Sequence, residues 1–157
     1  MRIGFYSGSF DPFTIGHKFV LDNAVKLFDK VIIGIGVNDK KKRRFDKCLM
    51  KNAIDEMIKN EGLSNVSCII YNNLTVDAAK DNGANFLVRG IRNGMDYEYE
   101  ENIASINQEM SGLDTIYVRA GKYGAISSTL VSIMLENNKD VSKYVPKEIL
   151  KVIENEN

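Results

Sequence analysis

Histidine, cysteine and proline are scarce in this chain, and each shortage excludes a kind of protein. The 157 residues include one histidine, His17, which excludes metal sites that need two histidines, such as HExxH. The two cysteines, Cys48 and Cys68, are too few for a disulfide framework and are not spaced as a metal-binding pair, so we expect reduced thiols in a cytoplasmic protein. Two prolines and no Gly- or Pro-rich linker predict one domain over residues 1–157.

An excess of charge and long apolar runs are also missing. Twenty-one basic and 21 acidic side chains give a formal net charge of zero, which argues against binding to nucleic acid or a membrane surface by bulk charge. No segment approaches the roughly 20 apolar residues of a membrane span, and the N-terminus has no long apolar signal region. We therefore expect neither a nucleic-acid partner nor a membrane partner.

Short apolar runs alternate with amphipathic helical segments along the whole chain. The runs predict strands at 2–6, 31–37, 66–71, 86–89 and 115–118. Helices are expected after each strand, over 47–59, 76–82, 96–110 and 127–136, with others after residue 17 and at Pro146. This order predicts the α/β class, as a doubly wound parallel sheet of five strands. In such sheets the ligand lies beyond the carboxyl ends of the strands, so polar motifs should cluster there.

The first polar motif, GSFDPFTIGH at residues 8–17, joins the first predicted strand to the first helix. Gly8 permits close approach of the backbone to a ligand. Gly16 and His17 fall at the start of the helix, where free N–H groups and the helix dipole favour an anion, and where an imidazole can donate to a phosphate oxygen. The alternative is a simple Asp11-Pro12 turn with an incidental histidine. The coincidence of glycine, strand end and helix start favours the phosphate site.

The second motif, RGIRNGMDYEYE at residues 89–100, follows the fourth predicted strand. Arg89 and Arg92 are of the type that grips phosphates in bidentate contacts. The alternative interpretation is that they form ion pairs with the acidic residues that follow, which are Asp96, Glu98 and Glu100.

A third motif and a basic run complete the polar segments. Ser127, Ser128 and Thr129 open a late helix, where hydroxyl groups either cap the helix or hold nucleotide phosphates. Residues 40–44 are five consecutive cations, which alone would indicate a solvated loop or a nucleic-acid patch.

Taken together, the motifs resemble those of the nucleotidyltransferase superfamily, and in particular of phosphopantetheine adenylyltransferases. The first motif is similar to the superfamily signature (T/H)xGH, with Ser9 where threonine is usual and Ile15 where asparagine is frequent. The second is similar to the RGLR…DFEYE block of that family, and the third to the signature ISS(T/S). Relatives that act on pyridine mononucleotides usually carry a basic residue soon after this signature, and this chain has residues 130–132, Leu-Val-Ser, instead.

The resemblance implies a function and a set of partners. It implies transfer of AMP from ATP to 4′-phosphopantetheine, giving dephospho-coenzyme A and pyrophosphate, without a covalent enzyme intermediate. It also implies Mg²⁺ bound through the ATP phosphates and water, a cytoplasmic homohexamer, and feedback by coenzyme A that competes at the site.

The resemblance also implies the site residues. His17, Lys41, Ser9 and Arg92 would be catalytic, with Lys40 or Lys42 replacing Lys41 if the loop is shifted. The phosphopantetheine site would comprise Ser9, Lys41, Leu74, Thr75 and Arg89. The ATP site would comprise Ser9, Phe10, His17, Gly90, Ile91, Arg92, Glu100, Tyr123, Gly124, Ala125, Ile126, Ser127, Ser128 and Thr129.

Two other functions are compatible with some of these features. The first is an adenylyltransferase with another acceptor, such as a pyridine mononucleotide, against which the second motif and the residues after ISST argue. The second is a non-catalytic module that binds nucleotides or nucleic acid. Such a module would tolerate loss of His17 and Lys41, which this chain retains.

Overall fold

A five-stranded parallel sheet forms the centre of the molecule in a computed structural model that describes residues 1–156. The strands are β1 (Ile3–Gly8), β2 (Lys30–Gly36), β3 (Val66–Tyr71), β4 (Phe86–Ile91) and β5 (Asp114–Arg119). The helices are α1 (Ile15–Leu27), α2 (Lys47–Asn60), α3 (Thr75–Asp81), α4 (Gly94–Ser111), α5 (Ser128–Glu136) and α6 (Lys147–Glu156). The predicted fold class is confirmed.

Helices cover both faces of the sheet because successive strand residues point to opposite sides. Tyr6 and Ile33 belong to a core with the apolar faces of α1, α2, α5 and α6, whereas Phe5 and Ile32 belong to a second core with α3. Burial on both faces explains why the central strands read as nearly continuous apolar runs rather than as alternating ones.

The strand order β3-β2-β1-β4-β5 places β1 between β2 and β4. The chain moves to one side of β1 to form β2 and β3, and then crosses to the other side to form β4 and β5. The direction of winding therefore changes between β1 and β4, which is where open α/β sheets leave a crevice for ligands. The first and second motifs follow β1 and β4, so this topology brings them side by side.

Several predicted boundaries differ from the observed ones. The fourth strand was expected to end at Arg89 but continues to Ile91, because Gly90 and Ile91 still pair with Val118 and Arg119 of β5. Arg89 therefore lies inside the strand. Helix α4 begins at Gly94, two residues before the predicted start, because Asn93 caps it by accepting a hydrogen bond from the Asp96 N–H at 3.0 Å.

Two further observations concern the cysteines and membranes. Cys48 is exposed and Cys68 is buried, and both are free thiols. Within residues 1–156, no helix has the length and apolar character needed to cross a membrane.

Candidate active site

A cleft of about 570 Å³ opens at the carboxyl ends of β1 and β4. Its walls come from all three motifs: Ser9, Phe10 and His17 from the first, Arg89, Gly90 and Arg92 from the second, and residues 126–129 from the third. A smaller cavity of about 250 Å³ adjoins it and contains Leu74 and Thr75 at the start of α3. Ser7, Arg89 and Glu100 line both spaces, so the two cavities meet at these side chains.

His17 is held in one tautomer by Thr14, the residue that caps α1. The Thr14 N–H donates to His17 Nδ1 at 2.9 Å, and the Thr14 hydroxyl oxygen accepts from the Gly16 N–H at 3.1 Å. Because Nδ1 is an acceptor in this arrangement, the ring proton resides on Nε2. His17 therefore presents a neutral N–H donor to the cleft.

The surroundings of His17 keep the imidazole neutral over the physiological range. Burial lowers the pKa of His17 to about 3, and the positive charges of Arg89 and Arg92 act in the same direction. The rings of Phe10 and Phe13 lie 5.0 and 5.4 Å from the imidazole, centre to centre. These two rings pack against the imidazole and restrict its movement.

The Phe10 side chain folds back onto the loop after β1 and packs against Gly8. Phe10 has a left-handed backbone with φ of 45°, and its side chain is buried. A Cβ at Gly8 would stand 3.0 Å from this ring, so the glycine is needed for the close approach of Phe10. Gly8 also lines the cleft, so the expectation that a ligand can approach its backbone stays a prediction.

Arg89 forms a bidentate ion pair with Glu100 across the junction of the two cavities. Its Nε and Nη2 atoms donate to the two carboxylate oxygens at 2.9 and 2.7 Å, and Nη1 donates to the Ser7 carbonyl at 2.6 Å. Burial works against the charged guanidinium, but the hydrogen bonds and charge of Glu100 outweigh it and raise the pKa of Arg89. The pairing of arginines with acids that the sequence left open is thus present.

Arg92 makes a similar pair with Asp96. Nε donates to Oδ2 at 2.9 Å and Nη2 donates to Oδ1 at 3.2 Å, while the Arg92 backbone N–H donates to Oδ2 at 3.0 Å. These hydrogen bonds hold the pKa of Asp96 below its usual value. The carboxylates of α4 therefore orient both guanidinium groups toward the cleft while leaving some of their N–H groups available.

The third motif is tied to the first by direct contacts. Ser127 caps α5 by accepting from the Leu130 N–H at 3.0 Å, and the Ser128 hydroxyl donates to the Pro12 carbonyl at 2.7 Å. A Cβ at Gly16 would lie 2.7 Å from the Ile126 carbonyl oxygen, so α1 approaches this loop at backbone distance. The sequence left the cap open between Ser127 and Ser128, and the structure assigns it to Ser127.

The structure brings most of the predicted residues together and leaves a few apart. The walls of the larger cleft include Ser9, Phe10, His17, Arg89, Gly90, Arg92, Glu100, Tyr123, Ile126, Ser127, Ser128 and Thr129. Leu74 and Thr75 lie in the smaller cavity with Arg89. Ile91, Gly124 and Ala125 are not among the lining residues of either space. Lys41 is exposed and lines neither space, whereas its neighbour Lys42 lies with Arg43 and Arg44 in a shallow groove beside Ser9.

Sequence reasoning gave no site role to Thr14 or Arg43. Thr14 is the first residue of the TxGH signature and stands three positions before His17, so its spacing could have identified it as the helix cap. Arg43 was one of five similar cations. Nothing in the run itself distinguishes it from the lysines, because its partners come from a loop more than 30 residues earlier.

The strand order, the cleft at the winding change and the neutral histidine at a helix start define a nucleotide-binding α/β protein with the features of a group-transfer enzyme. The family described as cytidylyltransferase-like matches residues 5–132. A candidate nicotinate-nucleotide adenylyltransferase from Vibrio parahaemolyticus has a similar fold, with a TM-score of 0.70 and 19% identity over 99% of this chain and 93% of that one.

Curated relatives narrow the assignment. The phosphopantetheine adenylyltransferases of Bacteroides thetaiotaomicron and Flavobacterium psychrophilum are each 41% identical to this chain over 150 residues. The alignments cover 94% and 95% of this chain, and 97% and 98% of the relatives. The chain therefore belongs to the cytidylyltransferase-like family and, within it, to the phosphopantetheine adenylyltransferases.

Proposed function

We propose that this protein transfers AMP from ATP to 4′-phosphopantetheine and releases dephospho-coenzyme A and pyrophosphate. The observation that carries the proposal is the junction of two cavities at Arg89. A cleft with His17 and Arg92 suits a nucleoside triphosphate, and a narrower, partly apolar space with Leu74 suits an extended pantetheine arm. The phosphates of both substrates would then meet where the two spaces join.

The chemistry needs positioning and charge stabilisation rather than a nucleophile on the enzyme. An oxygen of the phosphopantetheine phosphate forms the new bond to the α-phosphorus of ATP, and the bond from that phosphorus to the bridging oxygen breaks, with its electron pair leaving on pyrophosphate. The attacking phosphate is already anionic near neutral pH, so it needs no general base. The protein therefore aligns two polyanions and stabilises charge that develops between them.

His17 supplies the donor for that developing charge. Its Nε2–H would donate to a non-bridging oxygen of the α-phosphate as the negative charge there increases. Because the ring stays neutral, it donates a hydrogen bond without transferring its proton. Phe10 and Thr14 keep the donor in place and so reduce the reorganisation needed during the reaction.

In this proposal, Arg89 contacts the acceptor phosphate and Arg92 contacts the phosphates of ATP. Arg89 would hold the acceptor phosphate with Ser9 and with Lys41, or with a neighbouring lysine, while Leu74 and Thr75 contact the pantetheine arm. Lys41 reaches the site only if the basic loop moves, since its side chain is exposed outside the cleft. The ATP site would comprise Ser9, Phe10, His17, Gly90, Ile91, Arg92, Glu100, Tyr123, Gly124, Ala125, Ile126, Ser127, Ser128 and Thr129.

Mg²⁺ would enter this reaction as part of the Mg·ATP substrate. Within residues 1–156, no three His, Cys, Asp or Glu side chains are grouped to hold a metal ion. The carboxylates beside the cleft, Asp96 and Glu100, are engaged with arginines. This donor set fits an ion held by phosphate oxygens and water, which is how Mg²⁺ commonly accompanies nucleotides.

The proposal includes a homohexamer, supported by one face of α4. Tyr99, Ile103, Ile106 and Met110 follow each other at helical spacing and are exposed by 66, 39, 56 and 56%. A contiguous apolar row of this kind usually marks an interface between protein chains. Association of copies through α4 would bury it close to the smaller cavity, which Ile103 and Met110 also line.

Coenzyme A is proposed as a feedback inhibitor, because it contains both the pantetheine and the adenylate parts and would compete for both cavities. The cytoplasm is the proposed compartment, since the free thiols of Cys48 and Cys68 suit a reducing environment.

Pyrophosphate release tests the proposed function. With Mg·ATP, 4′-phosphopantetheine should give turnover and nicotinamide mononucleotide should not. His17→Ala should lower turnover by about 10²–10³, as is typical for loss of a preorganised donor to developing charge, while ATP affinity falls much less. Equal turnover with the pyridine mononucleotide would reject the acceptor assignment, and unchanged turnover in His17→Ala would reject the role of the histidine.

A further inference from the structure

The basic loop and the loop after β1 are bound to each other by reciprocal contacts. Arg43 donates from Nη1 to the Ser9 carbonyl at 2.7 Å and from Nη2 to the Phe10 carbonyl at 3.4 Å. In return, the Asp11 carboxylate accepts the backbone N–H groups of Arg44 and Phe45 at 2.7 and 2.8 Å. Each loop thus uses one side chain to hold the backbone of the other.

This pair of side chains is well shielded from water. The side chains of Arg43 and Asp11 are 13% and 16% exposed, and the Nη2 atom lies 3.7 Å from Asp11 Oδ1. Arg43 Nε also donates to the Phe45 carbonyl at 3.0 Å, and Phe45 itself is buried. Hydrogen bonds to charged groups in such surroundings are stronger than those at the surface. We call this arrangement, formed by Arg43 and Asp11 with the backbone of residues 9–10 and 44–45, the loop brace.

The loop brace is connected to His17 through Phe10. Its Arg43 contacts end on the carbonyls of Ser9 and Phe10, and Phe10 has the left-handed backbone, which costs energy for a residue with a side chain. The Phe10 ring then contacts the His17 imidazole edge to face, with centroids 5.0 Å apart and planes at 81°. A change in the backbone position of Phe10 therefore moves the ring against which the imidazole packs.

We propose that Arg43 is a positioning residue of the active site, acting through Phe10 on the orientation of His17. This proposal deepens the proposed function and rests on it for its kinetic part. Arg43 contacts backbone rather than either substrate cavity, so its effect is on the placement of the donor. This role separates Arg43 from the four other cations at residues 40–44, none of whose side chains donates a hydrogen bond to the backbone of the loop after β1.

The test compares Arg43→Ala with the matched control Arg44→Gln. Both remove one positive charge from the same run, but the Arg44 side chain contacts Glu136 at 2.7 Å, and only its backbone N–H takes part in the loop brace. Arg43→Ala should lower kcat about tenfold or more and change the KM for ATP by less than about threefold, because misplacement of the donor acts mainly on the transition state. Arg44→Gln should leave both within about twofold.

The single histidine provides a second measurement that needs no substrate. In the wild-type protein, the imidazole nitrogens of His17 should give one pair of ¹⁵N signals, typical of a ring protonated only on Nε2. Arg43→Ala should shift or broaden these signals, and Arg44→Gln should leave them unchanged. Arg43→Lys should be intermediate in both measurements, because lysine keeps the charge but lacks the planar fork that reaches several carbonyls. It also carries the test if Arg43→Ala fails to fold.

The outcomes decide the proposal separately from the proposed function. Wild-type kcat and unchanged His17 signals in Arg43→Ala would overturn the positioning role. A lower kcat with unchanged His17 signals, or an equal loss in Arg44→Gln, would overturn it too, since the effect would then come from charge or from another route. If the wild-type protein shows no turnover with ATP and phosphopantetheine, the proposed function fails, while the His17 signals still test the loop brace.

Discussion

At the scale of single residues, the environment of His17 favours the neutral imidazole as the form that takes part in the reaction. The ring packs against two aromatic side chains and lies near two guanidinium groups, so a positive charge on it is unfavourable. A neutral donor next to two cations is suited to stabilising an anionic transition state, because the cations supply charge and the imidazole supplies a directed hydrogen bond. Thr14 contributes by fixing which nitrogen donates.

The lowered pKa of His17 makes stability depend on pH. The folded state keeps the ring neutral down to about pH 3, whereas the unfolded chain takes up a proton below about pH 6.5. Acid therefore favours the unfolded state, and the free energy of unfolding decreases as the pH falls from about 6.5 towards 3. Urea unfolding at pH 7 and pH 5 should show the wild type losing about 2 kcal/mol more than His17→Asn. Equal losses would contradict a depressed pKa.

Arg89 and Arg92 should act on different substrates. Arg89 lines both cavities, whereas Arg92 lines only the larger one. Arg89→Ala should weaken phosphopantetheine binding by about 10- to 100-fold and change ATP affinity only a few-fold, since charge-assisted bonds contribute roughly 1.5–3 kcal/mol. Arg92→Ala should do the reverse. Calorimetric titration of each ligand at one salt concentration measures both, and weakening of the same ligand by both changes would contradict the division.

At the scale of secondary-structure elements, the start of α1 joins parts of the site that are far apart in sequence. The Thr14 hydroxyl donates to the Ile126 carbonyl at 3.1 Å, and Gly16 lies against the same carbonyl. The cap of one helix thus also holds the loop that leads into α5. Displacement of that loop would move Ser127 and Ser128 together with His17.

Gly16 offers a direct test of this contact. In Gly16→Ala the added Cβ meets backbone oxygen at 2.7 Å, so either α1 or the loop has to shift. We expect turnover to fall at least about tenfold, since small displacements of reacting groups have large kinetic effects. Gly94→Ala is the matched control, because a Cβ at Gly94 meets nothing within 4 Å. Similar pyrophosphate release by both variants would contradict the importance of the close contact.

The elements and their order could be predicted from the sequence, because apolar periodicity reports burial and burial decides which segments become strands and helices. The end of β4 could not, since Gly90 and Ile91 are held in the strand by pairing with β5, a contact that local pattern does not contain. The three polar motifs could be located from their positions at strand and helix ends, whereas the roles expected of their individual residues came from the family resemblance. Arg43 could not be identified in either way, because its contacts depend on how two distant loops fold together.

At the scale of the whole molecule, the sheet topology explains why three motifs separated by about 70 and 25 residues form one site. Each follows a strand whose carboxyl end lies at the same edge of the sheet. The helices on the two faces have unequal roles. Helices α1, α2, α5 and α6 pack apolar side chains into the larger core, whereas α4 leaves a row of apolar side chains exposed.

The apolar row of α4 should be buried in the assembled protein. Ile106→Glu places a charge in the centre of that row, where burial without a partner is costly, and it should shift the protein to smaller species. Sedimentation velocity at micromolar concentration measures this, with Leu27→Glu as the control, since Leu27 is exposed by 48% on a different helix. An unchanged sedimentation coefficient for Ile106→Glu would place the interface elsewhere.

The Arg89–Glu100 pair, which lies where the two cavities meet, has a thermodynamic consequence for the order of events. If the acceptor phosphate draws on Arg89 and ATP on Glu100, the first substrate to bind bears the cost of separating the pair, and the second finds the two side chains already apart. The two ligands then enhance each other reciprocally, and linkage requires the factor to be the same in both directions, typically 5- to 150-fold. Calorimetry of phosphopantetheine with and without an unreactive ATP analogue measures that factor. A value of one would mean that Glu100 keeps its arginine throughout the cycle.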